Sequence, residues 1–172
     1  ITSNYNNEAN FEQKDNITII RLPIYNLFKN RYPIIKYNYQ TKNLLKILNN
    51  YSVKRIIVNT RFYFTSLIGV NYANKHKIPV FLIEHGSNYV TLDNKFIDFF
   101  ANRYEDILTL YLKNKVTGFY GVSNACSNWL NRFNIKASGT WYNSINIETK
   151  EIKKNNNSEI YYQFINVSSD EI

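Results

Sequence analysis

Pro79-Val80-Phe81-Leu82-Ile83-Glu84-His85-Gly86-Ser87-Asn88 is the stretch that decides the fold. Four unbroken apolar residues, two of them β-branched, suit a strand covered on both faces rather than one with a solvated side. The run then switches at once to Glu, His, Gly, Ser and Asn. Delivering those groups to the end of a buried strand is costly unless each finds a partner. Outward from this point, Arg55-Ile56-Ile57-Val58-Asn59 and Val116 to Val122 read as further buried strands. Helical stretches separate them, from about Tyr63 to Lys75 and from about Asn94 to Lys113. In the second helix Phe96, Phe99, Phe100, Ile107, Leu108 and Tyr111 keep helical spacing, while Asp98, Asn102, Glu105 and Thr109 fall on another face. Ser123 reads as the N-cap of a helix through about Phe133, and Thr140-Trp141-Tyr142-Asn143 as a last short strand.

Short strands alternating with helices predict an α/β fold, a Rossmann-like parallel sheet with helices on both faces. Earlier in the chain, Ile17-Thr18-Ile19-Ile20 reads as a strand ended by Pro23, and Leu44, Leu45, Ile47 and Leu48 as a helical stripe. The polar run 150–158 resembles a linker, so the first domain is expected over 1–149 and a second to begin within 159–172. The chain opens on Ile1-Thr2-Ser3, which reads as the tail of a strand, and holds no methionine. The expectation is a frame that starts inside a longer one, with the first strand of the sheet missing.

The 172 residues carry 44% hydrophobic and 16% aromatic side chains, enough for a packed core. No apolar run approaches the ~18 residues that span a bilayer, and no signal-peptide pattern is present. A single cysteine, Cys126, cannot form an internal disulfide and points to a reducing, cytoplasmic setting. Two histidines and one cysteine lack ligand spacing, so no metal site is expected. Glycine-rich dinucleotide fingerprints, phosphate loops and Gly-x-Ser-x-Gly elbows are all missing.

Charge is uneven. The formal balance is +8, and no carboxylate occurs between Asp15 and Glu84. Within that block, the segment from Arg21 to Tyr39 interleaves Arg21, Lys29, Arg31 and Lys36 with Tyr, Phe and Ile. Such a mixture suits an anionic membrane surface, where rings sit half buried and cations reach lipid phosphates. A solvated surface is the plainer reading. Single-stranded nucleic acid would use similar residues, but no nucleic-acid motif accompanies them, so it is not an expected partner.

Ligands of open parallel sheets bind beyond the carboxyl ends of the strands, which directs attention to three junctions. At Asn59-Thr60-Arg61, the planar fork of Arg61 could clamp a phosphate or carboxylate, or simply cap a neighbouring helix. At Glu84-His85-Gly86-Ser87-Asn88, His85 could donate to a hydroxyl or phosphate, and Gly86 would permit close backbone approach or a positive φ. At Gly121-Val122-Ser123-Asn124, Ser123 and the helix start could hold an anion or act only as a cap. Cys126 fits a helix interior better than a nucleophile's position.

Taken in order, Asn59-Thr60-Arg61-Phe62, Ile78-Pro79-Val80 leading to Glu84-His85-Gly86-Ser87, Tyr120-Gly121-Val122-Ser123-Asn124-Ala125 and Trp141-Tyr142-Asn143-Ser144-Ile145 resemble the N-terminal domain of family-four glycosyltransferases. The resemblance spans about Ile17 to Ile147. It implies one half of a GT-B fold, in enzymes that build bacterial capsule or other surface glycans. It also implies a retaining transfer from a nucleotide-sugar co-substrate to a lipid-linked glycan acceptor, with no further cofactor. By the same resemblance His85 would lie in the cleft beside the reacting sugar. Arg61, Glu84, Gly86, Ser87 and Asn88 would shape the acceptor side, and Ser123 and Asn143 would line or brace it. The C-terminal donor domain of such enzymes is represented here by no more than a strand-like Tyr161 to Val167, so the piece alone is expected to be inactive. A non-catalytic Rossmann-like binding domain is the competing reading. Oligomeric state is open.

Overall fold

The computed structural model describes residues 1–27 and 32–143. The chain divides into two units, Ile1–Tyr142 and Asn143–Ile172, and Asn143 is the one described residue of the second. The expected linker, the strand-like 160–167 and Ser144-Ile145 therefore lie outside the described residues, as do Lys29 and Arg31.

The first unit begins with β1 (Thr2–Ser3), β2 (Phe11–Lys14) and β3 (Ile17–Leu22), in the spatial order β1-β3-β2. β2 and β3 form a hairpin in which Lys14 pairs with Ile17. Its two-residue turn starts at Asp15, whose φ of 51° is the left-handed value such tight turns require. The segment around Pro23 and Pro33, which looks broken in sequence, forms a second antiparallel hairpin of β4 (Ile24–Leu27) and β5 (Tyr32–Ile35). α1 (Tyr39–Lys46) follows, capped by the Asn38 side chain accepting the Thr41 N–H.

From there strands and helices alternate as the hydrophobic pattern predicts: β6 (Ile56–Asn59), α2 (Phe64–His76), β7 (Val80–Glu84), α3 (Lys95–Lys113), β8 (Gly118–Gly121), α4 (Asn124–Trp129) and β9 (Gly139–Thr140). The four strands make an all-parallel sheet in the order β6-β7-β8-β9, flanked by helices. The fold is α/β and Rossmann-like. Alternation along the strands sends Val58, Val80, Leu82 and Phe119 into the main core, where Val70 and Ala73 of α2, Leu112 of α3 and Leu130 and Phe133 after α4 meet them. Each of the Val, Leu and Phe side chains contributes about 1.5–3 kcal/mol by leaving water. On the other side of the sheet Tyr120 stacks on Trp141 and Ile57 is 53% exposed.

A second core gathers Ile20, Leu22, Ile24, Ile35 and Leu44. Phe64 and Ile68 of α2 pack against it while Val70 and Ala73 face the main core. α2 is thus apolar on two sides because it is buried on two sides. The unpaired edges of β1 and β6 border a cleft of about 460 Å³ lined by Thr2, Ser3, Ile56 and Val58 among others.

α3 departs from the usual rule. Its buried residues are Glu105, Thr109 and Leu112, while Phe96, Phe99, Phe100, Ile107 and Tyr111 face outward. The amphipathic stripe visible in the sequence is real, but it points away from the core.

Gly121 closes β8 against α4 so tightly that a Cβ there would lie 2.4 Å from the Ser127 backbone nitrogen. At Gly139 an added Cβ would meet only Tyr120 ring atoms, at 3.6 Å. Gly121→Ala is therefore expected to destabilise by about 1–3 kcal/mol through overpacking, with Gly139→Ala nearly neutral. Urea unfolding midpoints of the two variants would show equal effects if α4 were not seated on β8.

Candidate functional site

The carboxyl ends of β6, β7 and β8 lie side by side. The Thr60 N–H donates to the Ile83 carbonyl at 2.8 Å, and the Val122 N–H to the Glu84 carbonyl at 3.0 Å. All three junctions singled out in the sequence therefore share one rim. What each presents there differs sharply.

Immediately after β6 the chain turns through Thr60, a β-branched residue at φ 65°. Left-handed backbone is unfavourable for such a side chain, so the surrounding structure must hold it. The turn sends Arg61 inward, to zero exposure. Its Nη2 donates to Glu105 Oε2 at 2.7 Å, and its Nη1 lies 3.1 Å from Glu84 Oε2. Phe62, Trp129 and Phe133 surround the guanidinium with ring centres 5.2 to 5.8 Å away, a favourable setting for a desolvated cation. Glu84 and Glu105 are equally buried. Glu84 Oε1 accepts the Gly86 N–H at 2.8 Å, and Glu105 Oε1 accepts the Tyr32 hydroxyl at 2.7 Å. Arg61 and Glu84 were expected to touch a ligand. Instead they are sealed in the interior as a buried ion network, because two carboxylates neutralise the cation there.

Two carboxylates share one guanidinium, so the network is short of positive charge. Burial pushes the Glu105 carboxyl above its ordinary value; the Tyr32 hydroxyl, Arg61 and the Val90 N–H oppose this shift, and Glu84 adds to it. Burial, and then Glu105 itself, also raise Tyr32 and Tyr104 well beyond ordinary phenols. Tyr63 is raised by burial and by both carboxylates.

Above this network His85 is exposed, with Nε2 3.0 Å from Asn59 Oδ1. With the amide oxygen accepting, Nε2 carries the hydrogen and Nδ1 is the lone-pair nitrogen of the neutral ring. The His85 carbonyl accepts from Cys126 Sγ at 3.4 Å. Cys126 is buried, as its helix position suggests. Gly86 does not have a positive φ; its role is closeness, since a Cβ would sit 3.2 Å from Glu84 Oε1. Ser87 and Asn88 are exposed on the same loop, and Asn88 Oδ1 accepts the Tyr89 N–H at 2.8 Å. Ser123 caps α4 by accepting the Cys126 N–H at 3.2 Å. Asn143, in the second unit, is exposed.

The expected membrane-facing cations also divide. Arg21 does not face outward: its Nε lies 2.6 Å from Glu8 and its Nη1 2.8 Å from Glu12, with the side chain 14% exposed. Those acids lie just upstream of the acid-free block. Lys36 is half-buried, its Nζ 4.9 Å from the centre of the Tyr25 ring.

Glu105 and Tyr32 are the site-supporting residues that sequence reasoning missed. The available signal was a carboxylate on the polar stripe of a helix, which is ordinarily solvated. Among the described residues no cluster of three or more His, Cys, Asp or Glu could hold a metal. Compared with protein-family models, curated proteins and solved structures, the chain finds no match.

Removing one partner of a buried ion network costs about 3–5 kcal/mol, whereas replacing the whole set by apolar groups can be neutral. Arg61→Met alone should lower stability by about that amount, and adding Glu84→Leu with Glu105→Leu should recover at least half of the loss. Urea unfolding of the single and triple variants checks this; a triple variant weaker than Arg61→Met would contradict it. A raised carboxyl also sets a sign with pH. The folded state holds the Glu105 proton more tightly than the unfolded chain, so its stabilisation is full below pH 4.5 and is lost as pH rises through the raised value. The stability advantage of wild type over Glu105→Gln should therefore shrink from pH 4.5 upward, as paired urea titrations would show.

Proposed function

We propose that this chain is the acceptor-side half of a retaining glycosyltransferase of the GT-B type. The observation that carries the reading is the rim: an exposed histidine, held by Asn59, stands beyond the carboxyl ends of parallel strands, where open α/β sheets bind ligands. Transfer breaks the bond between the sugar's anomeric carbon and a nucleoside diphosphate and forms one to an acceptor hydroxyl. The hydroxyl proton leaves with the diphosphate. His85 serves here by orienting or polarising the acceptor hydroxyl through Nδ1. Arg61, Glu84 and Glu105 act beneath it as positioning residues, fixing the ends of β6 and β7 against α3. Ser87 and Asn88 border the acceptor, a glycan carried on a lipid at the cytoplasmic face of an anionic membrane.

A non-catalytic Rossmann-like binding domain is the second reading. The burial of Arg61 and Glu84 favours it, since two of the expected contact groups are structural.

Titrating the full chain with a short-chain polyprenyl-diphosphate sugar, followed by NMR, is expected to shift the His85 imidazole and the amides of Ser87 and Asn88. His85→Ala should abolish the response, and in an intact enzyme should lower kcat by about 10²-fold, the scale of a lost acid–base or polarising group. Shifts confined to other surfaces, or binding indifferent to His85, would remove the proposal.

A further inference from the structure

The outward face of α3 fits no ordinary solvated helix. Phe96 is 73% exposed, Ile107 66%, Phe99 58%, Leu110 57%, Phe100 56% and Tyr111 43%. With Arg103 these positions run 96, 99, 100, 103, then 107, 110, 111, repeating after eleven residues. An eleven-residue repeat stays almost in line on a straight α-helix, so the stripe runs straight for about 22 Å. The rings are already clustered: Phe96 and Phe99 each meet Phe100 edge-on, with centroids 5.0 and 5.5 Å apart. Beside the stripe, an apolar cleft of about 240 Å³ is walled by Ile97, Phe100 and Tyr104 of α3 and by Pro33 and Ile34 of β5. The apolar surface therefore continues from the helix onto the β4–β5 hairpin.

Charge says what covers it. Every charged residue at an exposed position of α3 is a cation, Lys95 or Arg103. Asp98, Glu105 and Asp106 are turned inward or to the flank: Asp98 accepts the Leu92 N–H, Glu105 is in the buried network, and Asp106 accepts from the Tyr89 hydroxyl and pairs with Arg103 Nη2 at 3.0 Å. Lys115 lies over the Tyr111 ring, 3.3 Å from its centre. A second copy placed against this face by a twofold axis would add its own Lys95 and Lys115 to these, with no exposed carboxylate of α3 to pair them. Outside the Arg103–Asp106 pair, Lys95 and Lys115 leave this face positive; anionic headgroups supply the counter-charge, and the acyl boundary accepts the rings.

We infer that α3 is an interfacial membrane-docking helix, which lays its Phe96–Tyr111 face on an anionic lipid surface. No helix among the described residues is long and apolar enough to span the bilayer, so the contact is peripheral. This contact sits beside the membrane-borne acceptor of the proposed function, on α3 and not on the cations expected between Arg21 and Tyr39. It does not require sugar transfer, and the two can fail separately.

Co-sedimentation of the full chain with vesicles of phosphatidylglycerol and phosphatidylcholine, against vesicles of phosphatidylcholine alone, tests it. Wild type should pellet with the anionic vesicles and be released by salt. Phe99→Glu with Ile107→Glu should lower vesicle partitioning at least tenfold with an unchanged melting temperature, since both sites are exposed. Arg103→Ala with Lys95→Ala should weaken binding selectively on the anionic vesicles. Equal weak binding to both vesicle types would overturn the inference. So would binding unaffected by the glutamate pair, or a dimer that the pair dissociates while lipid binding is absent.

Discussion

One guanidinium holds the strand-end rim of this domain together. Arg61 comes from the turn after β6, Glu84 from the last position of β7 and Glu105 from the middle of α3, and all three are wholly buried. Tyr32 adds β5 through its hydroxyl. Four elements far apart in sequence therefore converge on a single charge. Desolvating it is unfavourable, and two carboxylates and three aromatic rings offset the penalty. The geometry follows from that demand. Thr60 adopts a left-handed backbone to aim Arg61 inward, and Glu84 folds back onto the Gly86 N–H, which sets the path of the loop bearing His85.

The same interaction explains the inverted helix. A helix normally turns its apolar stripe to the core, because burial of those side chains is the larger gain. In α3 the polar stripe carries Glu105, which takes the Arg61 Nη2 hydrogen bond at 2.7 Å, so the polar face turns inward. Thr109 satisfies its hydroxyl on the Glu105 carbonyl. The large apolar residues are left on the outside, at exposed positions from Phe96 to Tyr111. A charge pairing inside the domain and an exposed apolar face outside it are two sides of one helix orientation.

Much of the architecture was legible from local pattern. Unbroken apolar runs marked β6 and β7, the stretch from Val116 to Val122 read as β8, helical spacing marked α2 and α3, and Ser123 stood where a cap belongs. What was not legible depends on contacts between distant residues. Periodicity located α3 but could not say which stripe faces in, since that rests on Arg61, 44 residues away. Arg61 and Glu84 looked like ligand-binding groups because the type of residue at a strand end reveals chemistry, not the direction in which a turn aims it. The β4–β5 hairpin was hidden by its prolines, which a two-stranded ribbon tolerates at edge positions. His85 kept its place on the rim for a reason that sequence did show: it follows the last buried position of β7 with a glycine directly after it.

Whether Arg61 is sealed and paired decides how this rim and α3 are held. NMR observation of guanidinium protons in the full chain, with Arg103 as an exposed internal reference, measures this directly. Arg61 should give resolved, slowly exchanging signals that collapse in Glu105→Gln, while Arg103 exchanges rapidly in both. Arg61 protons that exchange as fast as those of Arg103 would mean that no buried network exists, and neither the poise of the His85 loop nor the outward turn of α3 would then have its cause.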